Sequence, residues 1–269
     1  ERGAGGPIAL SGTGAYSQIE ILGNITFGSS DGISSGALTI NTLGDVILEG
    51  ELINLGGADI AIGNNVSPQT LLLSENISSN GNNVFLRATE SLTTVDIDTS
   101  SNTIGGVIDI SSTLGDVNLG NITTNGIESG GAVSLFSGGD LNVEFINTSA
   151  TPGDGGDVEL GATEDIEVAA VNAQGGINGG GITINIDTDQ FFRATDTFTD
   201  QNGIDASISA VGGAGNGFIN IEHGGQGVTP FIIGDASVNG TAVTITASVE
   251  NTLAPVQSIL ESLITENIN

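Results

Sequence analysis

Gly56, Gly81, Gly106, Gly131, Gly156 and Gly181 recur at one constant interval of about 25 residues, and this period constrains the fold more tightly than any other feature of the chain. A fixed interval of this size is the register of a stacked repeat, in which each unit leans on its neighbours instead of forming a core of its own. Most of these glycines precede a short alternating segment: Ile60-Ala61-Ile62, Val84-Phe85-Leu86, Val107-Ile108-Asp109-Ile110, Val133-Ser134-Leu135, Val158-Glu159-Leu160 and Ile182-Thr183-Ile184-Asn185-Ile186. Period-two alternation over so few residues predicts strands with one face turned inward. A second segment follows about ten positions later behind an acidic turn, at Asp116-Val117-Asn118-Leu119, Asp140-Leu141-Asn142-Val143 and Asp165-Ile166-Glu167-Val168, with an earlier copy at Asp45-Val46-Ile47-Leu48. A third, at Ile122-Thr123-Thr124, Phe145-Ile146-Asn147-Thr148 and Val171-Asn172-Ala173, closes the unit before a Gly- or Asn-rich turn restarts it.

A unit of about 25 residues is too short for a strand–helix–strand crossover, which needs about 30 or more, and for a four-stranded propeller blade of about 40 to 45. It fits one coil of a right-handed parallel β-helix, an all-β solenoid. Stacked coils bring equivalent strands to about 4.8 Å from one another, so alternating Ile, Val and Leu form ladders down a narrow interior. The composition agrees: 43 Gly, 9 Phe, one Tyr and no Trp in 269 residues leave small and β-branched side chains to build the core. Glycine is expected at the corners, where tight turns and positive φ are needed. A mean hydropathy of +0.20, together with closely spaced aliphatic triplets, predicts a folded chain despite its charge. About eleven coil lengths at this spacing predict a rod on the order of 50 Å long.

Two regions break the period. Between Gly181 and Gly217 the spacing is longer by almost half a coil, which places the extra chain in or around Gln190–Phe198, the most aromatic stretch. A wider coil or a lateral loop whose phenylalanines cover the solenoid is the expectation there. After Pro255 the glycines stop, and Val256, Ile259, Leu260, Leu263 and Ile264 fall at helical spacing, which predicts a short amphipathic helix capping the last coil or leading onward. The chain is therefore read as one solenoid domain over residues 1–250, regular over about 56–186 and irregular over 187–216, with a C-terminal cap or linker over 251–269.

Thirty-two acids stand against three arginines, no lysine and one histidine, for a formal net charge of −29. Such a surface repels phosphate backbones and anionic headgroups, so nucleic acid is excluded as a partner. No run reaches the roughly 18 to 20 apolar residues of a spanning helix, so no membrane insertion is expected. Absence of cysteine rules out disulfides, thiolate metal sites and thiol nucleophiles within these residues. The opening Glu1-Arg2-Gly3-Ala4-Gly5-Gly6 is no signal peptide, and a start inside a longer secreted precursor is expected.

Little in the chain points to chemistry. His223 is the lone imidazole, so a multi-histidine zinc site is impossible, and no Gly-x-Ser-x-Gly elbow accompanies it. It reads as a turn histidine. Gly212–Gly217 lacks the lysine of a phosphate loop. Outward threonine rows of the ice-binding kind are too irregular at Thr123, Thr148 and Thr183. A β-helix lyase acting on uronates would need basic residues that are missing here. Hydrolysis would need two placed carboxylates, and the pairs are Asp96 with Asp98, Asp154 with Asp157, and Asp187 with Asp189. Asp187 and Asp189 lie at i and i+2, which on a strand is one face. Calcium is the one cofactor considered, with Asp116, Asp140, Asp165, Asp187 and Asp189 as candidate ligands, because a stacked acidic row would repel itself without a hard cation or sufficient spacing.

The segments Phe191-Phe192-Arg193-Ala194-Thr195-Asp196-Thr197-Phe198, Asn202-Gly203-Ile204-Asp205-Ala206-Ser207-Ile208-Ser209, Asn220-Ile221-Glu222-His223-Gly224-Gly225 and Thr229-Pro230-Phe231-Ile232-Ile233-Gly234-Asp235-Ala236 resemble the terminal part of cyanobacterial exoproteins related to filamentous haemagglutinin. The resemblance extends over roughly 185–245, and the earlier coils share only the generic strand–Gly pattern. It implies a rod exported by two-partner secretion through an outer-membrane partner, of the kind sometimes followed by a caspase-like CHAT domain. No cysteine for a CHAT nucleophile and no secretion domain occurs here. The expectation is an extracellular or cell-surface stalk, structural or adhesin-like and not catalytic, whose partners are surface or matrix glycans or proteins. A polysaccharide-binding or polysaccharide-cleaving β-helix is the alternative.

Overall fold

Alternating aliphatic segments joined by glycine corners stack, in the computed structural model, into a parallel β-solenoid; it describes residues 7–12, 14, 17–27, 37–187, 189–248, 252–260 and 263–266. The first face stacks Ile8–Ser11, Leu38–Asn41, Ile60–Ile62, Val84–Ala88, Ile108–Ser112, Val133–Ser137, Val158–Ala162, Ile182–Ile186 and Ile219–Glu222, each parallel to the next. Val46–Leu48, Thr70–Leu73, Ser91–Thr94 and Val117–Leu119 belong to the second face, and Leu52–Asn54, Ile77–Ser78, Ile97–Asp98 and Ile122–Thr123 to the third. The long strands Leu141–Asn147 and Ile166–Asn172 each run through both. Val84, Ile108, Val133, Val158 and Ile182 are successive register partners, so the pairing register is the sequence period itself or one residue short of it.

Inward positions form continuous ladders. Ile60, Val84, Ile108, Val133, Val158, Ile182 and Ile219 are at most 1% exposed, as are Ile62, Leu86, Ile110, Leu135, Leu160, Ile184 and Ile221 two residues on. Burying such a side chain contributes about 1.5–3 kcal/mol, and each β-branched residue packs on its equivalent one coil away. Apart from Phe27 in the first coil, the described core uses no aromatic ring until the last coils, where Phe192 and Phe231 stack with centroids 6.0 Å apart.

The corner from the third face back to the first explains the glycine period. The buried hydroxyls of Thr99, Thr124 and Thr148 donate to the carbonyls of Gly106, Gly131 and Gly156 at 2.7, 2.7 and 2.6 Å. The N–H of each glycine returns to the carbonyl of the same threonine at 2.9, 2.7 and 2.8 Å. Ala173 with Gly180 and Ala210 with Gly217 keep the backbone bond alone. The fourth member of the row is thus Gly180, one residue before the Gly181 that continues the strict sequence interval, because that coil is one residue shorter. Positive φ is not the reason for Gly106, Gly131 and Gly156. Their backbones pass so close to the coil below that a Cβ on Gly131 would overlap the carbonyl oxygen of Gly106.

Both breaks in the period take definite form. Ile166 pairs with Phe192 and Val168 with Ala194, close to the usual step, but Val171 pairs with Ile208, far beyond it. The extra chain therefore lies between Ala194 and Ile208, where Phe198–Thr199 folds back antiparallel on Asp205–Ser209 as a lateral hairpin. Phe198 sets its ring edge-on to Phe145, with centroids 5.6 Å apart, and so covers a partly exposed ring of the coil below.

The predicted C-terminal helix is replaced by strands. Thr252–Leu253 pairs antiparallel with Thr244–Thr246, Gln257–Ile259 with Phe231–Ile233, and Leu263–Glu266 with Ile219–Glu222. The chain retraces third, second and first faces in turn, a counter-wound coil that ends the parallel ladder. Unpaired backbone groups at the open end outweigh the helical spacing of Val256, Ile259 and Leu263, since every strand of the last coil offers a row of donors and acceptors. Among the described residues the first face has nine parallel rungs, eight steps of about 4.8 Å or about 38 Å of rise, in place of the roughly eleven coils expected, because the hairpin and the cap consume residues without advancing the rod.

Gly131→Ala is expected to cost about 1–3 kcal/mol through the backbone overlap, read as a lower urea-unfolding midpoint by circular dichroism. Gly23→Ala, where a Cβ meets nothing within 4 Å, should stay within about 0.5 kcal/mol of the parent.

Candidate functional site

Outward positions on the first face obey the same register as inward ones, so unlike side chains also stand in columns. One column runs Ser111, Phe136, Gly161, Asn185 and a second runs Asp109, Ser134, Glu159, Thr183, Asn220. Glu222 ends its strand on the rung above Asn185. Phe136 is 46% exposed. Its ring lies over Gly161, where an added Cβ would come within 3.1 Å of ring carbon Cδ2. Without a side chain at Gly161, the Cδ2–Cε2 edge of the Phe136 ring sits close over the backbone, a pairing that covers the glycine while the rest of the ring stays partly exposed.

Beside this ring opens a groove of about 860 Å³, lined by Phe136, Gly161, Ser134, Asn185 and Gln190 together with four carboxylates, those of Glu159, Asp187, Asp189 and Glu222. Glu159, Asp187 and Asp189 are exposed and Glu222 is half-buried. No cation lines the groove. Arg87, two rungs below Phe136 in the same column, pairs with Asp109, and Arg193 on the second face pairs with Glu167, so both described arginines are engaged with carboxylates outside the groove.

Asp187 and Asp189 do meet in this groove, though not as a strand pair. The strand ends at Ile186, and Asp187 opens a turn closed by the Gln190 N–H on the Asp187 carbonyl at 3.0 Å. Asn185, the last outward strand residue, marks where the alternation stops. Asp116, Asp140 and Asp165 stand in one row at the entrance to the second face, as their spacing predicts, but their oxygens are occupied. Oδ1 of each accepts a backbone N–H from the coil above: Asp140 on Asp116 at 3.1 Å, Asp165 on Asp140 at 2.9 Å and Phe191 on Asp165 at 2.8 Å. Asp96 and Asp154 act alike towards Asn121 and Asn178, and Asp157 towards Gly181. An N–H donor from the next coil on each carboxylate relieves the repulsion that the row alone would suffer. Among the described residues no group of three His, Cys, Asp or Glu side chains is placed to share a metal ion.

His223 is fully buried, its ring 4.9 Å from that of Phe231 and its Nδ1 3.2 Å from Nδ2 of Asn239, so it belongs to the core of the last coil. Glu222, one residue before it, faces the groove. Sequence reading passed over Phe136, Glu159, Asn185, Gln190 and Glu222 as groove residues. A signal for the first existed: a phenylalanine at an outward position of an alternating strand, with a glycine one period later at the place directly above it.

No family model, no curated protein and no solved structure matches this chain. The fold itself defines the class, a parallel β-solenoid.

Asp140→Ala is expected to lower stability by about 1–3 kcal/mol, because it strips the acceptor from the Asp165 N–H and leaves that donor unpaired. Asp140→Asn keeps the acceptor, as Asn83 does towards Val107, and should unfold within about 0.5 kcal/mol of the parent in the same urea titration.

Proposed function

We propose that this chain is a segment of a secreted or surface-exposed rod, of the filamentous-haemagglutinin-like kind, that serves adhesion or display and binds glycan along its first face without cleaving it. The observation that carries this reading is the groove beside Phe136: a half-exposed aromatic ring set against Gly161, with Asn185, Gln190 and Ser134 lining the same groove. A half-exposed aromatic ring beside amide and hydroxyl groups suits a sugar, whose C–H groups pack on the ring and whose hydroxyls take the hydrogen bonds. The rod supplies rigidity and length, and the acidic surface keeps neighbouring rods apart. In a full-length chain of this kind, an outer-membrane partner would export the rod to the cell surface, and matrix proteins are a further class of partner.

A cleaving β-helix is the second reading, favoured by the four carboxylates in one groove. Against it, no hydrogen bond from another side chain or from backbone holds the carboxylates of Glu159, Asp187, Asp189 or Glu222 among the described residues. Catalytic acids and bases must be fixed within about 0.5 Å by supporting contacts, and carboxylates without such contacts suit binding better than proton transfer.

A glycan-array screen of the purified chain, followed by reducing-sugar release on each bound polysaccharide, separates these readings. Binding is expected without sugar release. Phe136→Ala should weaken it about tenfold, the equivalent of about 1.4 kcal/mol, and binding should persist in chelator. Sugar release abolished by Asp187→Asn would replace this reading with a hydrolase, and loss of binding in chelator would bring a bridging calcium ion into the groove.

A further inference from the structure

The charge of the groove narrows the ligand class. Resting on the glycan reading above, we infer that the groove selects a polysaccharide bearing free amines, an amino-sugar polymer at least partly lacking N-acyl groups, over neutral and uronate-type chains. The aromatic platform and the cavity make the place for a sugar, and the ionic groups around it decide which sugar. Glu159, Asp187, Asp189 and Glu222 all border the 860 Å³ groove, with no arginine, lysine or histidine among its lining residues. Arg87 and Arg193 are the nearest cations in the register, and each is spent on a carboxylate of its own, Asp109 or Glu167.

A concave site walled by one sign of charge concentrates the potential inside it, and the formal charge of −29 supports the same sign from afar. A uronate or sulfated chain entering would bring like charge against four carboxylates that hold no counter-charge. A protonated amine gains on two counts. It meets carboxylates that no group among the described residues engages, and where it reaches a face of the half-exposed Phe136 ring it gains a cation–π contact worth about 0.5–1 kcal/mol at an exposed site. The geometry spreads these contacts along the rod. Phe136, Gly161 and Asn185 are successive register partners and Glu222 lies one rung beyond, so ring and furthest carboxylate are about 14 Å apart at about 4.8 Å per rung. Amines repeated along one chain match this spread, whereas a single metal ion does not. A lysine-rich peptide would satisfy the carboxylates but makes less use of an exposed aromatic ring set among amide and hydroxyl groups, which favours the sugar.

Calorimetric titration of the full chain at about pH 5.5, where amines are charged and carboxylates largely ionised, tests this with four probes: glucosamine oligomers, their N-acetylated forms, oligogalacturonate and oligolysine. The glucosamine oligomer is expected to bind about tenfold tighter than its N-acetylated form and to weaken about tenfold between low and high salt. The triple variant Glu159→Gln, Asp187→Asn, Glu222→Gln should abolish that preference, while Phe136→Ala weakens both oligomers. These positions are exposed or half-buried and pack against nothing in the core, so folding is checked by an unchanged circular dichroism spectrum. Equal binding of both sugar oligomers, still dependent on Phe136, would overturn the selection for amines and leave the glycan reading standing. Tighter binding of oligogalacturonate would overturn the inference outright. Oligolysine binding as tight as glucosamine and indifferent to Phe136→Ala, or no binding of any probe, would overturn inference and glycan reading together.

Discussion

Everything in this molecule follows from the spacing of a parallel ladder. Strands held about 4.8 Å apart place each residue directly above its equivalent one coil earlier, so any side chain must tolerate a neighbour of its own kind at that distance. Aliphatic residues do so by packing, as in the row from Ile60 through Val84, Ile108 and Val133 to Ile219. Glycines do so by letting backbones pass close at the corner below Gly131. Carboxylates do so only with help, and Asp116, Asp140 and Asp165 find it in the N–H groups of the next coil.

That last device changes how the acidity is understood. Part of the charge of −29 is structural: Asp96, Asp116, Asp140, Asp154, Asp157 and Asp165 splice one coil to the next through Oδ1. Asn83 and Asn41 perform the same service without charge, which shows that the acceptor oxygen is the requirement and the negative charge incidental to it. The groove carboxylates are of a second kind. They splice no coil to another, and among the described residues no hydrogen bond engages them.

The two ends of the repeat differ because a ladder cannot simply stop. Its last rung presents unpaired donors and acceptors on every face, and the chain answers with a counter-wound coil that pairs antiparallel on all three. Helical spacing at Val256, Ile259 and Leu263 carried too little weight against that row of backbone groups. The lateral hairpin ending at Ser209 shows the converse: extra chain enters without disturbing the ladder, because Val171 resumes pairing with Ile208 once the excursion closes.

The sequence by itself determined the solenoid. Periodic glycines, period-two alternation and small aliphatic residues are local and repeated, and repetition makes each coil's environment the same as the last, so one unit predicts the others. It also placed Asp116, Asp140 and Asp165 in a row and put Asp187 near Asp189. Only the tertiary structure decided what those carboxylates do, because the donor each one meets lies on another coil. It likewise decided that Phe136 sits against Gly161, that Glu159 and Glu222 share a groove with Asp187, that His223 is core, and that the described residues after Pro255 form strands. Each of these depends on which residue stands one rung above or below, or on the ladder's open end, and a single coil read along the chain contains neither.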